Sequence, residues 1–129
     1  MTADDAPIRV LLVEDNDVYR ESLVFLLKRV TAVDVVGAVA DGNAAMRACI
    51  ELHPDVVVLD YRLPDVDGAE VATGLREHTP GVEVVFLSAS AGEDEYDAAS
   101  SAGAALVRKD EGVDALVSAV RAAAGRRRE

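Results

Sequence analysis

The chain has 129 residues, half of them hydrophobic and 29% charged, with a formal net charge of −11. That length holds one domain with a real core, and so acidic a balance argues against general affinity for nucleic-acid backbone, where binding depends on neutralising phosphates. No stretch approaches the roughly 20 apolar residues of a bilayer span, the acidic segment Met1 to Pro7 is no secretory signal, and the single Cys49 has no internal disulfide partner, which fits a reducing cytoplasm.

In chain order, Ile8 to Val13 is a short apolar run that ends in Glu14-Asp15. Such a run predicts a strand buried on both faces, the habit of parallel sheets. Tyr19, Leu23, Leu26, Leu27 and Val30 then follow helical spacing, a helix over about residues 16–30 with Asn16 or Asp17 as its cap. Val33 to Val39 predicts a second strand, closed by Asp41-Gly42. Ala45, Ala48, Cys49 and Leu52 make the inner stripe of a second helix, which stops at His53-Pro54 because the residue before proline is pushed out of the α region. The third apolar run, Asp55 to Leu59, leads into Asp60 and the loop Tyr61 to Gly68. A third helix carries Val71, Ala72 and Leu75 and ends near Pro80-Gly81, and Val82 to Leu87 then runs into Ser88. The acidic, alanine-rich segment Glu93 to Ala102 predicts a fourth helix of weak apolar spacing. Ala104 to Arg108 runs into Lys109, and Val113, Leu116, Val117, Val120 and Ala124 stripe the last helix.

Five alternating β–α units with parallel strands make a doubly wound sandwich, a sheet with helices on both faces. Ligands of such sheets bind beyond the carboxyl ends of the strands, where the strand order reverses. Four strand ends carry Glu14-Asp15, Asp60, Ser88 and Lys109, so three carboxylates, a hydroxyl and an ammonium converge on one crevice.

Carboxylates held close together repel, and a hard divalent ion relieves them. Magnesium takes oxygen ligands and uses one or two carboxylates beside substrate phosphate. Asp15 and Asp60 suit direct ligation, and Glu14 suits contact through a water. No Cys/His cluster has zinc-ligand spacing. Phosphoryl transfer asks for an in-line nucleophile and neutralisation of the equatorial oxygens. Asp60 is the candidate nucleophile, Lys109 the point charge on the phosphoryl oxygens, and Ser88 a hydroxyl donor to them.

The paired acids Glu14-Asp15, the run Asp60-Tyr61-Arg62-Leu63-Pro64 with Gly68 beyond it, Ser88-Ala89 and Lys109-Asp110 resemble the response-regulator receiver family. The resemblance extends from Ile8 to about Ala124. It implies a flavodoxin-like sheet of order 2-1-3-4-5 in a three-layer α/β/α stack, with a receiver domain over residues 1–125 and a tail or linker stub over residues 126–129. It further implies that a histidine kinase or phosphotransfer protein supplies phosphate to Asp60, that magnesium is required, and that the main-chain carbonyl of Arg62 is a metal ligand. Slow self-dephosphorylation follows, its rate tuned by the side chains of Arg62 and Ser90. Lys109-Asp110 is similar to receivers that precede a helix-turn-helix DNA-binding domain. That likeness implies control of transcription and a phosphorylation-dependent homodimer, with no nucleic acid or membrane bound by this domain itself. In the family an aromatic switch residue stands three positions before the lysine and follows the hydroxyl; here Leu106 stands there, and Ser88 is the hydroxyl. A stand-alone receiver acting as a phosphate shuttle or docking module is the alternative output.

Plainer readings exist for single residues. Glu14-Asp15 alone reads equally as acids at the positive end of a helix, and Lys109 alone as a solvated loop lysine. Asp60, ending a continuous apolar strand, has no such structural reading. Cys49 reads as a small core residue, His53 and His78 as helix-end residues without a catalytic role, and Tyr96 as either partly buried or part of a partner surface. A haloacid-dehalogenase-like phosphatase also uses a strand-ending aspartate, but it calls for a second aspartate where Arg62 stands.

Overall fold

The computed structural model describes residues 6–89 and 92–127, so Ser90, expected to tune hydrolysis, lies outside the described residues, as do Arg128 and Glu129 of the expected tail. Five parallel strands, β1 (Ile8–Val13), β2 (Val33–Val39), β3 (Val56–Asp60), β4 (Glu83–Ser88) and β5 (Ala105–Arg108), form one sheet of order β2-β1-β3-β4-β5. Helices α1 (Asp17–Lys28), α2 (Gly42–Leu52), α3 (Gly68–His78), α4 (Glu93–Ser101) and α5 (Val113–Arg127) alternate with them. This is the expected flavodoxin-like arrangement.

Each strand divides its side chains between two cores, because successive residues point to opposite faces. Val10, Leu12, Val56, Val58, Val85 and Leu87 pack with Leu23 and Leu27 of α1 and Leu116 and Val120 of α5. Leu11, Val13, Val57, Leu59, Val84 and Phe86 pack with Ala45 and Cys49 of α2, Val71 and Leu75 of α3, and Ala99 of α4. Cys49 is fully buried, as expected, and burial pushes its thiol pKa up against the opposing contact with Thr79. Low thiolate character marks it as inert packing.

Asn16 caps α1 by accepting from the Tyr19 amide, and α2 and α3 are capped by Asp41 and Asp67. Helix α4 starts at Gly92 with no side-chain cap, and Ala99 is its one buried side chain among the described residues. The last helix runs through Ala124 to Arg127, into the first two residues of the expected tail.

His53 ends α2, as expected, and it does so in the left-handed conformation, φ 48 and ψ 60, outside the right-handed region that the following proline disfavours. Its amide still closes the helix on the Cys49 carbonyl, and its own carbonyl accepts from the Arg9 guanidinium at 2.9 Å. Both histidines lie at the ends of helices that lead into strand N-termini, the sheet edge opposite Asp60. A left-handed residue with a Cβ costs about 1–2 kcal/mol, which glycine avoids. His53→Gly is therefore expected to raise the unfolding free energy by about 1 kcal/mol, after its own entropic cost. Urea denaturation checks it, and a loss of stability would contradict the strain.

Candidate functional site

Strand register assembles the site before any side chain reaches across it. Val13 pairs with Leu59, so the residues that follow, Glu14 and Asp60, leave the sheet side by side where the strand order reverses. Asp60 pairs with Leu87, one residue short of Ser88, and Ser88 pairs with Arg108, one residue short of Lys109. The expected residues of all four strand ends therefore meet at one edge.

Lys109 Nζ lies 2.5 Å from Glu14 Oε1 and 3.1 Å from Asp60 Oδ2. Both carboxylates are nearly sealed from water, Glu14 being 1% and Asp60 6% exposed. Backbone amides hold the other oxygens: Asn16 N donates to Glu14 Oε2 at 3.0 Å, and Arg62 N to Asp60 Oδ1 at 2.9 Å. Glu14 Oε1 makes no hydrogen bond of regular geometry, leaving the ammonium as its counter-charge. Burial works to lower the Lys109 pKa, yet hydrogen bonds and charge from Glu14 and Asp60 outweigh it, and the value is raised. The ammonium also stands 4.7 Å above the Tyr19 ring, a cation–π contact. The Tyr19 phenol is raised as well, by burial first, with Lys109 opposing and both carboxylates adding.

Glu14, Asp15 and Asp60 each offer an oxygen, and these atoms lie within 4.8 Å of one another. Three carboxylates against one ammonium leave negative charge in excess. Glu14 Oε1, whose one recorded partner among the described residues is the Lys109 ammonium, and the exposed Asp15 suit a hard divalent cation, which prefers oxygen donors and tolerates water among its ligands.

The loop after β3 is held tightly. Gly68 N donates to the Tyr61 carbonyl, and a Cβ at Gly68 would stand 2.6 Å from that oxygen, so a side chain there would force the loop open. Asp65 accepts from the amides of Gly42 and Asn43, tying the loop to the start of α2. The Gly42 bond, foremost, holds the Asp65 carboxyl below its usual range.

Ser88 reaches the expected edge, but its hydroxyl is taken: Oγ donates to Glu95 Oε2 at 2.5 Å. Glu95 Oε1 in turn meets Arg62 Nη2 at 3.2 Å, at the end of a largely exposed side chain. Leu106 is half-buried against the core that α2, α3 and α4 share. Tyr96 is 42% exposed, so its ring is partly covered and partly at the surface. Lys109 begins a short 3-10 turn, Lys109–Glu111, rather than a loop.

Three contributors were not foreseen. Helical spacing marks Tyr19 only as a stripe residue, although it lies one helical turn beyond Asp15. Arg20 Nη1 donates to the Glu14 carbonyl at 2.7 Å. Glu95 was one acid among several opening a helix, and only the position of α4 distinguishes it.

The response regulator receiver domain family matches residues 10–121. A Mycobacterium tuberculosis protein named probable transcriptional regulatory protein NarL is 36% identical over 117 residues, 88% of this chain and 53% of that protein. The M. tuberculosis protein named probable transcriptional regulatory protein TcrX is 36% identical over 121 residues, 93% of this chain and 51% of that one. The chain thus spans about half the length of these curated relatives. Among solved structures, a LuxR-family two-component response regulator from Aurantimonas sp. SI85-9A1 superposes with TM-score 0.86 at 30% identity, covering 93% of this chain and 86% of that one.

Removing the ammonium strands two buried carboxylates. Lys109→Met is expected to lower stability near neutral pH by about 2 kcal/mol, charge-assisted hydrogen bonds being worth roughly 1.5–3. The folded-state pKa of Lys109 lies above its ordinary 10.5. Its contribution is therefore complete below that value and lost as pH climbs through the folded-state pKa. In urea titrations the gap between wild type and Lys109→Met should hold up to about pH 10 and narrow above it. A gap unchanged to the alkaline limit of the fold would contradict the pairing.

Proposed function

Since the chain belongs to the response-regulator receiver family, we propose that Asp60 is its phosphoacceptor, charged by a histidine kinase or a phosphotransfer protein. One observation carries the assignment: a nearly buried aspartate ends β3 with its Oδ2 3.1 Å from an ammonium, inside a cluster of carboxylates. In the transfer an Asp60 oxygen forms the new O–P bond while the P–N bond to the donor imidazole breaks. The imidazole nitrogen keeps the bonding pair, and an ionised Asp60 has no proton to lose.

Lys109 neutralises charge on the transferring group, already aimed and needing no reorganisation. Ser88 supplies a hydrogen bond once its hydroxyl turns from Glu95. Glu14, Asp15, Asp60 and the main-chain carbonyl of Arg62 would hold Mg2+, which when bound offsets carboxylate repulsion and neutralises phosphoryl oxygens. Water later cleaves the acyl phosphate, restoring the Asp60 carboxylate and releasing inorganic phosphate, and the Arg62 side chain is the candidate to screen the water's approach.

The added charge at Asp60 shifts the population of the surface formed by α4 and β5, where Ser88 and Leu106 are the switch positions. The output we propose is homodimerisation and control of transcription through a DNA-binding segment outside this chain, in a cytoplasmic protein. The description of the relatives NarL and TcrX as probable transcriptional regulatory proteins, and the half-length match to them, support that reading.

Intact mass after incubation with acetyl phosphate tests the assignment. One phosphoryl adduct is expected, dependent on Mg2+ and absent in Asp60→Asn, whose thermal melt remains cooperative. A folded wild type without adduct, or an adduct that survives Asp60→Asn, would refute it. Lys109→Ala is expected to separate adduct formation from dimerisation; dimer yield on phosphorylation equal to wild type in size-exclusion chromatography would contradict that coupling.

A further inference from the structure

We propose that Glu95 is a positioning residue for Ser88: it holds the Ser88 hydroxyl against α4 in the unphosphorylated protein and yields it when Asp60 carries a phosphoryl group. The inference deepens the phosphoacceptor reading and rests on it.

Ser88 has one hydroxyl proton. In the structure that proton serves Glu95 Oε2 at 2.5 Å, so it cannot also serve a phosphoryl oxygen. Glu95 sits in the first turn of α4, where an acid normally turns back to free backbone amides. Instead both of its oxygens are spent outside the helix, on Ser88 and Arg62, and its side chain is only 13% exposed. The Ser88 bond, foremost, lowers the Glu95 pKa, with burial opposing and Arg62 adding. The carboxylate is therefore ionised near neutral pH and accepts from the hydroxyl as a charged partner.

The helix it ties down has little else. Gly92 provides no side-chain cap, and Ala99 is the one buried side chain of α4 among the described residues. A segment so lightly packed is among the first to move. Phosphorylation introduces a competing anion for the same hydroxyl and places like charge near Glu95. The Oγ–H bond swings from one acceptor to the other, and no covalent bond changes. Of the two side-chain contacts that Glu95 makes, α4 then keeps the one to the exposed Arg62. A signal passed by exchange of a hydrogen-bond acceptor needs no aromatic ring, and Leu106 supplies none.

Beryllofluoride, a phosphoryl mimic, with Mg2+ is the probe, titrated into the described chain and followed by backbone amide NMR. Glu95→Ala is expected to bind it about three- to tenfold more tightly than wild type, the value of one freed hydrogen bond. Its unliganded α4 amides, Tyr96 among them, should move toward their positions in the liganded wild type. Glu95→Gln, still an acceptor but uncharged, should fall between. In a Ser88→Ala background the effect of Glu95→Ala should shrink to less than about twofold, the remainder of long-range charge. Ser88→Ala alone should raise the Glu95 pKa toward the ordinary glutamate range, with no mimic present. Wild-type binding matched by Glu95→Ala, or a gain that persists undiminished without Ser88, overturns the role. Failure of wild type to bind the mimic is a separate result, which removes the phosphoacceptor reading and this role with it.

Discussion

One ammonium shared by two buried carboxylates holds this site together. Lys109 stands between Glu14 and Asp60, and each acid is tolerated in the interior because the other partners of its oxygens are backbone amides. Desolvating a carboxylate is expensive unless it is paired and hydrogen-bonded. The arrangement meets that demand incompletely, since the charges sum to an excess of negative and Glu14 Oε1 lacks a regular hydrogen bond. Incomplete satisfaction is what makes the edge receptive. Excess negative charge favours a cation there, and Lys109 already stands as an ammonium against both buried acids.

The rest of the fold serves that pairing. The two cores fix the register of β1 against β3 and of β3 against β4, since slipping a strand by one residue would turn its apolar set to the wrong face. Asp60 and Glu14 are adjacent for this reason. Gly68 and Asp65 then constrain the loop that begins at Tyr61, so the Arg62 amide arrives at Asp60 Oδ1 without a flexible segment in between. Tyr19 and the 3-10 turn restrain Lys109 from the other side.

The strands and the residues at their ends were legible because burial on both faces leaves an unbroken apolar run, and each run stops abruptly at a polar residue. Helix α4 was legible only as a helix. Its apolar spacing is weak because it buries almost nothing, and the partner of Glu95 is seven positions away in sequence but across an element boundary. The left-handed turn at His53 was hidden because proline's local rule names a forbidden region and not which of the remaining ones tertiary contacts select; the Arg9 contact to its carbonyl is such a selection. Tyr19 was legible as a helical stripe residue but not as a lid on Lys109, since one side chain performs both tasks.

These features bear on how a receiver without a switch aromatic can respond at all. A modification shifts an equilibrium only by the difference in its interactions with the two states. At this edge the contacts open to change are polar: the Lys109 ammonium is shared between Glu14 and Asp60, and the Ser88 hydroxyl is held by Glu95. Leu106 faces the same core as Phe86 and Ala99, so it can fill space vacated by a shifting α4 but carries no hydrogen bond to exchange. On the proposed phosphoacceptor reading, the signal leaves the site through charge and hydrogen bonding before packing follows. Ser88 joins the end of β4 to Glu95 and so to α4, in which Ala99 is the one buried side chain among the described residues, while Arg62, bonded by its backbone to Asp60 and by its side chain to Glu95, ties α4 to the acidic edge.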